Sequence, residues 1–112
     1  MLFEMKLHPV PFNLIATGRK DIEMRLFTEE RKKMVIGDHI VFTNTCSGKK
    51  LEVVVKGLKS FKNFQELYKF YPKYRLGYLN SDEADYHDMN QYYTDENINK
   101  FGALAIEIEL IK

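Results

Sequence analysis

Four residues within eight positions, Gly18, Lys20, Glu23 and Arg25, carry the most pointed chemistry in the chain. A lysine beside a carboxylate can hold an anion or take part in proton transfer. An arginine can grip a phosphate or the edge of a base with paired N–H donors. Glu23 and Arg25 stand two apart, so on a strand both project from one face while Ile22, Met24 and Leu26 project from the other. Lys20 stands just before that strand, in the turn that follows Gly18. The same charges on an open hairpin edge would be an ordinary surface ion pair, worth about 0–1 kcal/mol. Residue types alone leave both readings open.

The elements that would position these groups can be read from periodicity. "LFEMKL" (2–7) alternates as a half-buried strand, with Phe3, Met5 and Leu7 on one face. Pro11 and Gly18 bracket a two-turn helix over 10–17, with Phe12, Ile15 and Ala16 on a shared face. Residues 21–27 alternate again. A polar connection over 28–38 leads to strand 39–45, and a turn at Ser47-Gly48 joins it to strand 51–61 in a hairpin. Gly57 suggests a bulge in that second strand. Asn63 with Glu66 resembles a capping box, for a helix that carries Phe64, Leu67, Tyr68 and Tyr71 and stops at Pro72. Ser81 is the expected cap of a further helix through 80–93, with Asp82, Glu83 and Asp85 in its first turn. A short turn or helix closed by Gly102 precedes the last strand, 103–111, which points Leu104, Ile106, Ile108 and Leu110 inward. The order is β-α-β-β-β-α-α-β, an α+β fold: a small, mostly antiparallel β-barrel with helices on its rim, in a single domain over 1–112.

Composition narrows the function classes. No apolar run approaches the roughly 20 residues of a membrane-spanning helix. The N-terminus lacks the basic and apolar regions of a signal peptide. Cys46 is the single cysteine, so no internal disulfide can form, and His8, His39 and His87 are scattered rather than set at metal-ligand spacing. The expectation is a cytoplasmic protein without metal or cofactor. The net charge of +1 conceals a division: residues 1–75 carry 15 Lys/Arg against 8 Asp/Glu, or +7, and residues 76–112 carry 2 against 8, or −6. Such a basic front suits a phosphate-bearing partner, and equally an attraction between the two parts of the fold.

Other candidates are weaker. All seven tyrosines lie between 68 and 93. Tyr68 and Tyr71 sit on the apolar stripe of their helix. Tyr74 and Tyr78 flank Arg75 in an expected loop and are the better candidates for stacking on a base. The basic clusters at 30–33 and 49–50 read as solvated surface. His87 and Asp88 are adjacent, and neighbours in a helix do not face each other.

Gly18-x-Lys20-x-x-Glu23-x-Arg25 resembles the G-x-K-x-x-E-x-R signature of the ASCH domains, a branch of the PUA-like β-barrels. Four fixed positions of this kind arise by chance in about one chain of this length in a thousand. The likeness extends through "EMKLHPVPFNLIATGRK", "IGDHIVF", "GLKSFKNFQELYKFYP", "LGY", "DMNQYY" and "FGALAIEIEL", which is nearly the whole chain. The resemblance implies a six-stranded or nearly closed barrel whose cleft, between barrel and helices, is lined by the motif. It also implies RNA or a nucleotide as the partner. Gly18, Arg19, Lys20, Glu23 and Arg25 would line the binding edge, with Tyr74 and Tyr78 beside them. Some members are similar to an amidohydrolase acting on N-acetylated cytidine nucleosides, which has a threonine where Glu23 stands and a separate distal glutamate. On that alternative Lys20, Glu23 and Glu83 would be catalytic, Glu83 (with Glu66 next) being the position offered for the distal carboxylate.

Overall fold

The computed structural model describes residues 1–111. Five strands, β1 (Leu2–Leu7), β2 (Ile22–Leu26), β3 (His39–Asn44), β4 (Lys50–Phe61) and β5 (Ala103–Leu110), form one sheet in the order β1-β3-β4-β5-β2. β1 runs parallel to β3, and the other three pairings are antiparallel. The sheet curls into a half-barrel with β1 and β2 as its two free edges. Five strands, open along that seam, replace the six-stranded or nearly closed barrel implied by the resemblance. The α+β, mostly antiparallel, PUA-like architecture is the one expected.

Three helices accompany the sheet: α1 (Pro9–Ala16), α2 (Phe64–Phe70) and α3 (Asp95–Phe101). In α1, Pro9 and Pro11 occupy the first turn, where their missing N–H groups cost nothing. Its end is a Schellman turn, in which Gly18 N–H donates to Ile15 O (3.0 Å) and Arg19 N–H to Leu14 O (2.9 Å). This needs a left-handed residue, and Gly18 supplies it at φ 78°. In α2, Asn63 accepts from Glu66 N–H at 3.0 Å, and the Glu66 carboxylate reaches back to Lys62 N–H at 3.3 Å. Tyr71 is extended before Pro72, as a pre-proline residue prefers.

The core has two parts, one on each side of the sheet. Inside the half-barrel, Phe3, Ile40, Phe42, Val53, Leu104 and Ile106 pack with Phe12 and Ile15 of α1. Outside it, Ile22, Met24 and Leu26 of β2 and Ala103 and Ala105 of β5 pack under Phe64, Leu67 and Ile98 of α2 and α3. β5 is therefore buried on both faces. The small Ala103 and Ala105 let the helices approach. The bulge falls where Gly57 suggested it, between Val55 and Gly57 opposite β5.

Residues 80–93 depart from expectation. No α-helix starts at Ser81. Asp82 instead accepts from Leu79 N–H (2.8 Å), and Asp85 accepts from His87 N–H (2.9 Å), capping a 3-10 helix over Tyr86–Gln91. Asn, Ser and Asp side chains bond their own backbone readily and compete with helix formation. Within that 3-10 helix only Met89 is buried.

Candidate functional site

The alternation in β2 assigns its charges to a definite place. Glu23 pairs across the ladder with Ile106, and Arg25 with Leu104. Directly opposed residues share a face. Glu23 and Arg25 therefore point towards the interior of the half-barrel, at the seam where the sheet fails to close. Lys20 joins them from the turn after α1. All three line a cavity of about 160 Å³ between the ends of β1 and β3, strand β2, α1 and the 3-10 segment.

Glu23 is the hub of this cluster. Lys20 Nζ lies 3.3 Å from its Oε1, and Arg25 donates to Oε2 from Nη2 at 2.9 Å and from Nε at 3.2 Å. Met24 N–H, which points away from β5 along the free edge, donates to Oε1 at 3.0 Å. Arg25 Nη2 also donates to Lys6 O at 2.9 Å. One guanidinium thus bridges the two edge strands across the seam. The side chains of Lys20, Glu23 and Arg25 are only 8%, 4% and 15% exposed. Burial alone would raise the Glu23 carboxyl, but Lys20 and Arg25 outweigh it and hold the group below its ordinary value. For Arg25, burial works downward, and the Glu23 carboxylate with Tyr93 overcomes it, so the guanidinium is held above its ordinary value.

The position of Lys20 is set by its surroundings. Its N–H donates to Leu14 O at the end of α1 (3.1 Å). Its stem runs under Gly77, where an added Cβ would come within 3.2 Å of Lys20 Cδ and of Leu14 Cδ1. Gly77 is itself left-handed, at φ 103°.

The rim is aromatic. The His8 and Tyr92 rings stack at 5.8 Å, and Tyr93 stacks on buried Phe64 at 6.0 Å. Leu7, Pro11 and Met89 supply apolar wall and Thr45 a hydroxyl. Burial, then the Glu23 charge, pushes the Tyr92 phenol up.

The remaining candidates lie elsewhere. Gly18 lines a separate, more open cleft and serves to end α1, while Arg19 is exposed beside it. Tyr74 is 60% exposed, outside the cavity. The Tyr78 hydroxyl is engaged with those of Tyr68 (2.9 Å) and the Asp88 carboxylate (2.7 Å), which fastens the 3-10 segment to α2. Glu83 is exposed in the irregular stretch before Asp85, and Glu66 caps α2; neither lines the cavity. Sequence reasoning passed over Lys6, His8, Met89, Tyr92 and Tyr93. The visible signal was Tyr92-Tyr93 immediately before the Thr94 cap of α3, a rigid point that fixes an aromatic pair. Among the described residues no group of acidic, histidine or cysteine side chains is arranged to hold a metal ion, and no helix is long and apolar enough to cross a membrane.

A curled, mostly antiparallel sheet with α1 packed against its interior, α2 and α3 outside and a charged cavity at its open seam is a PUA-like fold, of the superfamily associated with RNA binding. The chain belongs to the ASCH domain family, whose family model matches residues 5–112. It is similar to hypothetical protein PH0355, known from a crystal structure, at 33% identity and TM-score 0.83 over 99% of this chain and 100% of the other. It is also similar to protein PF0455 from Pyrococcus furiosus, solved by solution NMR, at 30% identity and TM-score 0.76 over 100% and 99% of the two chains. The ZmASCH S128A mutant from Zymomonas mobilis shares the fold, at 15% identity and TM-score 0.69, over 96% of this chain and 67% of that one. No curated protein matches the chain.

Proposed function

We propose that the chain binds RNA or a nucleotide in the cavity at the β1–β2 seam. The observation that carries this reading is a buried pair of cations, Lys20 and Arg25, held by one carboxylate at the floor of a cavity with an aromatic rim. Cations with unused donors meet phosphate or base acceptors. Tyr92 and His8 offer ring faces on which an unpaired base can stack. An unpaired base suits so narrow a cavity better than a duplex. The ASCH family and its PUA-like fold point to the same partner, and the cytoplasm is the compartment this reading implies.

A hydrolase of modified nucleosides is the weaker reading. It needs a carboxylate free to move a proton, and Glu23, the carboxylate lining the cavity, is engaged by both cations.

The test is titration of a short single-stranded RNA against the wild-type chain and Lys20→Ala at several salt concentrations. Wild-type affinity should fall with salt, with a log–log slope of about −0.7 for each phosphate neutralised. Lys20→Ala should bind at least about tenfold more weakly. Salt-independent binding, or binding untouched by the substitution in a folded protein, would falsify the assignment.

A further inference from the structure

A carboxylate offers about four acceptor positions. Three hydrogen bonds engage Glu23, from Met24 N–H to Oε1 and from Arg25 Nε and Nη2 to Oε2, and the Lys20 ammonium stands 3.3 Å from Oε1 as an ion pair. The second hydrogen of Nη2 goes to Lys6 O. At the floor of the cavity the groups left over are the two hydrogens of Arg25 Nη1 and two of the Lys20 ammonium. All of these are donors, and the three side chains together carry a charge of +1. The Tyr93 hydroxyl stands beside the Arg25 guanidinium and shares in holding it.

We infer that this floor reads oxygen acceptors, a base carbonyl or a phosphate oxygen, and that Glu23 is a positioning residue that does not meet the ligand. This rests on the nucleotide-binding reading above and decides between the two tasks open to Glu23, accepting a base N–H or aiming the cations. A ligand amine placed against these two cations would face N–H groups whose carboxylate is already engaged by Met24 N–H, Arg25 and Lys20, and an unpaired buried donor is costly. An oxo group or phosphate in the same place completes the hydrogen bonding of both cations. Pairing to Glu23 also keeps the long Lys20 and Arg25 side chains ordered before the ligand arrives, so less freedom is lost on binding. The 160 Å³ volume sets the scale of the occupant. A dry cavity of about 150 Å³ holds one benzene ring, so one six-membered ring enters, a purine by that ring with the rest of the base outside, or one phosphate group with the sugar outside.

The experiment is calorimetric titration of the wild-type chain with inosine, adenosine, their 5′-monophosphates and inorganic phosphate. Inosine and adenosine differ by an oxo group against an amine on the same ring. If the base supplies the oxygen, inosine binds at least about tenfold more tightly than adenosine, and inorganic phosphate does not compete. If phosphate supplies it, both monophosphates bind alike, at least about tenfold more tightly than either nucleoside, and inorganic phosphate competes. Either result supports the inference. Adenosine bound as tightly as inosine, with no gain from phosphate, overturns it while leaving a nucleotide site in place. Binding by none of the five also overturns it, and the RNA titration above then decides separately whether the wider reading survives. Glu23→Gln supplies an independent readout. As a positioning residue its loss weakens every ligand by a common factor and keeps their order. A reversed order in the folded variant means that Glu23 touches the ligand, and the inference fails. If the variant does not fold, the wild-type panel decides alone.

Discussion

Two ion clusters built from neighbouring residues behave as opposites. Lys20 and Arg25 surround one carboxylate, Glu23; Asp21 and Glu107 surround one cation, Arg75, at 2.9 and 2.7 Å. The first carries +1 and is nearly buried. The second carries −1, and its side chains are 25–48% exposed. In the first the anion is engaged by both cations and the cations keep donors to spare. In the second the guanidinium is the shared centre, held above its ordinary value by hydrogen bonds to Asp21 and then Glu107. Composition alone would call both salt bridges. What separates them is which partner is used up and whether a cavity faces the remainder. The buried cluster is built to receive something. The exposed one ties the Lys73–Leu76 turn to β2 and β5, and it can do so because Gly57 is bare: a Cβ there would overlap the Glu107 carboxylate.

The sharpest break in this comparison is Glu23→Ala. It leaves two cations buried without their anion and the Met24 N–H without its acceptor. Removing one member of a buried ion cluster costs about 3–5 kcal/mol. Denaturant unfolding should show a loss of that order. A loss under about 1 kcal/mol would mean that the cluster is solvated, and the contrast with Arg75 would disappear.

A smaller effect separates two left-handed glycines. At Gly18 an added Cβ meets nothing within 4 Å, whereas at Gly77 it meets Lys20 and Leu14 at 3.2 Å. A left-handed alanine costs about 1–2 kcal/mol at either place. Gly77→Ala should in addition displace the Lys20 stem and weaken ligand binding; Gly18→Ala should weaken stability alone. Equal affinities for the two variants in RNA titration would remove Gly77 from the site.

How much of this was legible beforehand follows from the same residues. The period-2 pattern of residues 21–27 gave the faces of β2 correctly, because alternation on a strand is geometric. It could not tell that the polar face points into the half-barrel, since that depends on pairing with Ile106 and Leu104, some 80 residues away. The aromatic rim escaped for the same reason. Tyr92 is brought to His8 by tertiary packing, and nothing in their spacing signals it. Tyr74 and Tyr78 flank Arg75 in sequence, but Arg75 is engaged with Asp21 and Glu107, away from the cavity. The stretch from Ser81 carries helix-cap residues, and the same residue types also satisfy turns.

Acid should unsettle the buried cluster through its one carboxylate. The Glu23 carboxyl sits below its ordinary value of 4.5 in the folded chain. A depressed carboxyl stabilises the fold fully above the unfolded value and loses that contribution as pH falls through the folded one. Stability of the wild type should therefore drop more steeply than that of Glu23→Gln on descending below about pH 4.5. Parallel pH profiles for the two proteins would show that Glu23 is not held by its cations.

The smallest change belongs to the exposed cluster. Arg75→Ala removes two ion pairs, the packing of the guanidinium over the Tyr71 ring at 5.7 Å, and the link from the Lys73–Leu76 turn to β5. The turn keeps a second attachment through backbone, because Asp21 N–H donates to Arg75 O at 3.2 Å whatever side chain stands there. Asp21 and Glu107 are both partly solvated, so water replaces the lost donors, and partly exposed pairs contribute about 0–1 kcal/mol. Lys20 is held from its other side by Glu23 and by Leu14 O, neither of which Arg75 touches. Melting should accordingly shift by a few degrees at most, and RNA affinity should stay within about twofold of wild type, since no contact of the cavity floor is removed. An affinity loss matching that of Lys20→Ala would show that the two clusters act as one site and that the division drawn between them is false.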